Sequence, residues 1–122
     1  MKGLAALERQ SYGLSAARIW FKSHVPIHFV IVDGIVAMEG DGPLNGTPRS
    51  LNRIVLADDP VAADASCARL MGFDPGRIVH IREGASFLGN VVPELIDQVA
   101  ETLTPPVTPF HVVREFDNLY VL

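Results

Sequence analysis

The chain has 122 residues, which at the usual domain size makes one domain, and its 48% apolar and 20% charged residues exclude a disordered chain. Ten basic against fourteen acidic residues leave a net charge of −4. That balance does not supply the basic stripe a phosphate backbone demands, so nucleic acid is not an expected partner. The one cysteine, Cys67, forms no internal disulfide and cannot supply the thiolates of an iron–sulfur cluster in this chain.

Glu8 and Arg9 arrive before any apolar stretch of signal-peptide length, and the longest strongly apolar run, residues 29–32, is far short of a membrane span. No membrane is expected as a partner, and the expected compartment is the cytoplasm. The sequence stops on the apolar run Leu119-Tyr120-Val121-Leu122 without a polar tail. Residues 1–122 therefore read as a single domain that is either a fragment or a short version of a longer one.

Residues 14–24 carry Leu14, Ala17, Ile19, Trp20 and Phe21, the broad apolar face of a helix packed on a sheet, and Pro26 closes it. Ile27-His28-Phe29-Val30-Ile31-Val32 is nearly all apolar and rich in β-branched residues, the pattern of a strand buried on both faces, and it ends at Asp33-Gly34. From Gly34 to Arg49 the punctuators Gly40, Gly42, Pro43, Gly46 and Pro48 predict a long shaped loop, a kind that in a compact domain is functional or disordered. Arg53-Ile54-Val55-Leu56-Ala57 reads as a second buried strand.

Asp59-Pro60 predicts a helix start, the aspartate capping free amides and the proline fitting the first helical position. This helix should run to about Met71, with Gly72 in the left-handed terminal position and Val61, Ala65 and Ala68 facing inward. A turn at Asp74-Pro75-Gly76 precedes a short strand, Ile78-Val79-His80-Ile81. A second helix is expected over about 92–103, with Leu95, Ile96, Val99 and Leu103 on one face, ended by Thr104-Pro105-Pro106. Residues 110–113 and 119–122 read as terminal strands, paired as a hairpin around Asp117-Asn118. The fold class is α/β: a small mixed β-sheet with packed helices in a single compact domain.

Acidic residues gather where the buried elements end. Asp33 follows the first strand, Glu39 and Asp41 lie in the glycine loop, and Asp58 and Asp59 follow the second strand. Ligands in open α/β sheets bind outside the carboxyl ends of strands, so parallel strands would bring these acids together. An antiparallel pair would disperse them, and the absence of a helix in the connection weakens the parallel alternative.

Asp64 borders the inward stripe of its helix, where a carboxylate needs a donor, a cation or a metal. It either accepts hydrogen bonds from glycine-loop amides, takes part in a ligand or metal site, or is simply exposed. Asp33, Glu39, Asp59 and Asp64 are the candidate ligands of a hard divalent cation such as magnesium, although their spacing matches no EF-hand.

Gly40-Asp41-Gly42-Pro43-Leu44-Asn45-Gly46 is neither a P-loop nor the dinucleotide fingerprint, and Pro43 removes an amide that could bind phosphate. It is either a structural turn or a loop that cradles a ligand, in which case Gly40, Asp41 and Gly42 join the candidate binding residues. Arg49 and Arg53 flank the loop and can neutralise its acids or hold an anionic substrate. His28 and His111 alternate with apolar strand residues and read as structural, while His80 is a weaker acid–base candidate. Cys67, with no activating neighbour, reads as a core thiol.

The run Ile31-Val32-Asp33-Gly34-Ile35-Val36-Ala37-Met38-Glu39-Gly40-Asp41-Gly42-Pro43, then Gly46 and Pro48, resembles the domain of unknown function 362 family. So does Val55-Leu56-Ala57-Asp58-Asp59-Pro60-Val61-Ala62-Ala63-Asp64-Ala65, followed by Arg69-Leu70-Met71-Gly72. The likeness covers roughly residues 27–90, with a weaker segment from Gly84-Ala85 to Gly89, and suggests the C-terminal part of the family domain. Many members are longer proteins with a ferredoxin-like iron–sulfur module, whose cysteines this chain lacks. The resemblance marks Asp33, Glu39, Asp41, Asp59 and Asp64 as motif positions and assigns none of them a role.

Two readings follow. In the first, the chain is an enzyme or ligand-binding domain with an acidic, divalent-cation-dependent site at the glycine loop, with Arg49 orienting an anionic substrate. In the second, it is a non-catalytic accessory module that docks with a redox or iron–sulfur partner, with the glycine loop as a structural clasp. Acids converging on a concavity favour the first; acids each capping local amides beside an exposed apolar patch favour the second. The apolar C-terminal edge also offers a homodimer by strand pairing.

Overall fold

The computed structural model describes residues 29–121. The expected helix over 14–24, and Ile27 and His28 of the first expected strand, lie outside the described residues.

Two long strands, β1 (Val30–Asp41) and β2 (Asn45–Ala57), pair antiparallel from Val30↔Ala57 to Asp41↔Asn45. They form the whole two-stranded sheet seen among the described residues. The expected loop from Gly34 to Arg49 is therefore corrected: only Gly42, Pro43 and Leu44 form the turn, and the rest is hairpin. In a two-stranded sheet each strand has a free edge, which is where a proline such as Pro48, opposite Met38, is tolerated. The register slips between Gly34 and Val36, where Asn52 on β2 takes a left-handed φ of 54°, a conformation that asparagine accepts more readily than most residues.

Burial changes face along the hairpin. Near its base Val30, Val32 and Val55 are half-buried and Ile31, Ile54 and Leu56 are exposed. Towards the tip Ala37 and Leu51 pack against the core, while Val36 and Met38 face outward.

Helix α1 (Pro60–Leu70) forms as expected. The Asp59 carboxylate accepts from the amides of Val61 (2.9 Å) and Ala62 (3.1 Å), and Pro60 occupies the first turn, where its missing N–H has no partner to lose. Gly72 ends it at φ +85°, with Pro109 packed so close that a Cβ would stand 2.7 Å from the proline Cβ. Val61, Ala65 and Ala68 face inward and build the core with Phe73, Ile81 and the fully buried Phe110.

Beyond α1 three expectations are corrected. The run from Ile78 to Ile81 is not a strand but opens helix α2 (Val79–Ala85), after a 3-10 turn (Pro75–Arg77) capped by Asp74 on the Gly76 amide at 2.9 Å. A four-residue apolar run fits both periods, and here Ile81 and Gly84 turn one helical face onto Val61. The expected helix over 92–103 is corrected to one 3-10 turn (Pro93–Leu95), and Leu95 and Val99 on its intended apolar face are exposed, without packing among the described residues that would reward a helix. The expected terminal hairpin is replaced by a strap: the Phe110 amide donates to the Met71 carbonyl (2.8 Å), a 3-10 helix (Arg114–Leu119) follows, and Tyr120 bridges antiparallel to Phe73. The described chain is thus a small α/β unit, a hairpin against two helices with the C-terminal strap beneath them. No described helix is long and apolar enough to cross a membrane.

Candidate functional site

The antiparallel pairing disperses the acids. Asp33 and Glu39 share a strand six residues apart, about 20 Å at the rise of an extended chain. Asp33 lies opposite Ile54 in β1, and its carboxylate accepts the Ile35 amide at 3.0 Å. Asp59 sits past the end of β2 as the cap of α1, and Asp64 points into solvent from the second turn of that helix. Asp41 is exposed at the turn. Among the described residues no group of three or more His, Cys, Asp or Glu side chains comes together in a way that could hold a metal ion.

Two of the acids organise main chain. Asp59 caps α1 with Oδ1 and accepts the Asn90 amide with Oδ2 at 2.9 Å, tying the loop after α2 to the start of α1. Gly89 is what lets that loop approach, since a Cβ there would stand 1.9 Å from Asp59 Oδ1.

Glu39 is the centre of a second knot. Its Oε2 accepts Arg49 Nη1 at 2.9 Å and the His111 amide at 3.0 Å. Arg49 also donates to the carbonyls of Pro109 (2.9 Å) and Thr108 (2.5 Å), and its guanidinium lies 4.4 Å above the Phe110 ring centroid. The Gly40 amide completes the knot with a 2.8 Å bond to the His111 carbonyl. The His111 amide, and after it the arginine, hold the Glu39 carboxyl below its ordinary range. The candidate anion-binding Arg49 thus has its donors directed into a clasp that fastens the hairpin to residues 108–111.

The remaining candidates stand apart. Gly42 and Gly46 lie beneath the Met38 side chain, whose sulfur passes 2.8 Å and 2.4 Å from where their Cβ atoms would be. Arg53 reaches Glu101 at 3.4 Å on the surface. His80 is exposed on α2. Cys67 is half-buried, and burial, reinforced by the charge of Asp64, pushes its thiol up, which keeps it from acting as a thiolate.

Three participants escaped the sequence: Gly89 with Asn90, the His111 main chain, and the carbonyls of Thr108 and Pro109. Each acts through backbone across a long sequence separation, which side-chain motifs do not encode. The one local signal is the ten-residue interval from Glu39 to Arg49, which closes only when the intervening turn makes a hairpin.

Two of the apolar surfaces exposed among the described residues adjoin the hairpin. Val36 and Met38 face outward along β1, and Leu44 in the turn is at 93% of its full exposure. Beside β2 runs an open groove of about 1070 Å³ between Ile54 and Leu56, the Ala63 and Ser66 side of α1, and the 95–103 segment.

Residues 6–69, more than half of the chain, match the family model described as Domain of unknown function (DUF362). The match starts earlier in the chain than the motifs suggested and stops within α1, so residues 70–90 lie outside it. No curated protein and no solved structure matches the chain.

Proposed function

The chain belongs to the DUF362 family, a membership that carries no reaction with it, and from the geometry of its acids we propose that it is a non-catalytic docking module rather than a cation-dependent enzyme. The carrying observation is the fate of the four candidate metal ligands. Asp33, Glu39 and Asp59 each accept main-chain amides in different places, and Asp64 is exposed. An acidic catalytic site needs such groups convergent and free to meet substrate.

The docking surface is the outer part of the hairpin, an arm clamped at Glu39 and Arg49 that presents Met38 and Leu44. An exposed leucine and methionine on a rigidly held turn suit an apolar patch on another protein. In this reading the partner is an iron–sulfur redox protein of the cytoplasm, since the family that the chain resembles has longer members with a ferredoxin-like iron–sulfur module, whose cysteines are not in this sequence.

Titration of the full chain with a purified four-iron, four-sulfur ferredoxin, read by calorimetry, tests the reading. Saturable binding that Leu44→Asp abolishes and Asp64→Asn leaves intact is expected. Absence of binding, or binding indifferent to Leu44→Asp, contradicts it.

A further inference from the structure

The last two turns of α1 and the segment 93–105 form a small cavity of about 120 Å³. Leu70, Ile96, Leu103 and Pro105 make it largely apolar, and Arg69 is the one charged residue among the described residues of its wall. Two polar groups there are underused. Ser66 is buried at 5% exposure, yet its hydroxyl makes no hydrogen bond to any described residue, not even to the carbonyl one turn back that a helical serine ordinarily takes. Among the described residues no fully enclosed side-chain oxygen lacks a partner, so this hydroxyl faces open space, on the rim where the cavity meets the groove beside β2.

Arg69 is the second. Its guanidinium donates to the Val91 carbonyl and makes no other hydrogen bond or ion pair among the described residues. The acids whose charge it feels stand off: Asp74 pairs with Arg77 at 3.4 Å, and Glu94 is exposed. The helix end does not occupy it either, since the Cys67, Ala68 and Arg69 carbonyls are taken by the amides of Met71, Phe73 and Gly72. Burial works against its charge, so an anion beside this half-buried guanidinium is favoured.

We propose that this cavity binds a short aliphatic carboxylate, its oxygens held by the Arg69 guanidinium and the Ser66 hydroxyl and its carbon chain lying against Leu70, Ile96 and Leu103. Ser66 and Arg69 are three residues apart on α1, which brings them to one side of the helix. Gln98 spends its carbonyl oxygen on the Leu103 amide at 2.8 Å and so has only N–H donors left for a ligand, and the Thr104 hydroxyl adds another. A wall rich in donors, with one cation and an apolar floor, matches an acceptor head on a small hydrocarbon body. Size sets the length of that body. A cavity of roughly 150 Å³ admits benzene, so this one suits about five or six non-hydrogen atoms, as in propionate or butyrate. The site lies apart from the outer hairpin, so it does not depend on what docks there.

Titration of the ¹⁵N-labelled full chain with sodium butyrate, at ionic strength held constant with sodium chloride, tests the proposal by NMR. Saturable movement of the Ser66, Arg69 and Thr104 amide resonances is expected. Butyramide, of the same shape without the charge, should bind about tenfold more weakly, because a charge-assisted hydrogen bond is replaced by neutral ones. Arg69→Gln should abolish butyrate binding and Ser66→Ala should weaken it several-fold. Arg82→Gln, which removes an exposed cation outside the cavity, should leave it unchanged. If Arg69→Gln fails to fold for want of its bond to Val91, the butyramide comparison and Ser66→Ala still decide. Resonances that do not move, or that drift without saturating, overturn the proposal and leave a cavity that holds water or other parts of the chain. So does butyramide binding as tightly as butyrate, or butyrate binding that Ser66→Ala leaves unchanged.

Discussion

Arg49 Nη1 meets Glu39 Oε2 at 2.9 Å across the hairpin, while the same guanidinium reaches the main-chain carbonyls of Thr108 and Pro109. One arginine therefore joins both strands to the C-terminal strap. Arg49→Ala removes charged donors from two carbonyls and the stacking over Phe110, and should destabilise the chain by about 1–3 kcal/mol. Arg49→Lys should recover little of this, since an ammonium cannot reproduce the forked geometry. Urea denaturation of the three proteins measures both effects.

Glu39 makes the fold acid-sensitive. Its carboxyl is held below its ordinary value of 4.5, first by the His111 amide and then by Arg49. A carboxylate depressed in the folded state contributes fully above its unfolded pKa, and the contribution fades as pH falls through the lower folded value. Glu39→Gln should be less stable than the parent at neutral pH, with the gap narrowing below pH 4.5. Denaturant midpoints measured at neutral and acidic pH read the gap directly; one that stays constant contradicts this account.

Asp59 and Gly89 form a coupled pair. Asp59→Ala loses a helix cap and the tie to Asn90, which should cost about 1–3 kcal/mol. Gly89→Ala forces a methyl into the Asp59 carboxylate and should also destabilise, through a clash rather than a lost bond. Because the obstacle is the Asp59 side chain, the double variant should be less destabilised than the sum of the singles. Additive losses would show that the clash is relieved elsewhere.

Cys67 should be a slow nucleophile. Burial first, and Asp64 one helical turn away second, raise its thiol pKa and lower the thiolate fraction at neutral pH. Asp64→Asn should speed alkylation by iodoacetamide by less than tenfold while changing stability by no more than about 0.5 kcal/mol, as expected of an exposed side chain. A loss of stability well beyond that would contradict the reading of Asp64 as an exposed, weakly coupled side chain.

How much of this the sequence carries depends on the range of the forces involved. The α1 helix was legible from Asp59-Pro60 to Gly72, because capping, proline placement and the Val61, Ala65, Ala68 stripe are local rules. The hairpin was half legible. Its base strands announce themselves, but Gly40, Gly42, Gly46 and Pro48 mimic a loop, and a strand with a free edge tolerates them. The 92–103 helix failed for the opposite reason: its period is right, yet among the described residues Val99 stays exposed and packing does not support a helix. For the site, two of the motif acids, Glu39 and Asp59, hold main chain, a role the motifs do not assign. The clustering of the acids depended on strand direction, which composition does not encode, and what Glu39 and Asp59 hold is backbone from sequence-distant segments.

Glu39 and Asp59 hold main chain, and on the proposed reading neither they nor Asp64 bind a cation. Thermal melts of the full chain with EDTA, magnesium, manganese, calcium and zinc test it most directly, repeated on Asp64→Asn and Glu39→Gln. A bound ion at 100 times its dissociation constant would add about 2.7 kcal/mol, a shift of several degrees in a domain this size. Melting temperatures that do not differ among the cations are expected, with Glu39→Gln lower throughout. A rise specific to one cation that either substitution abolishes would contradict it.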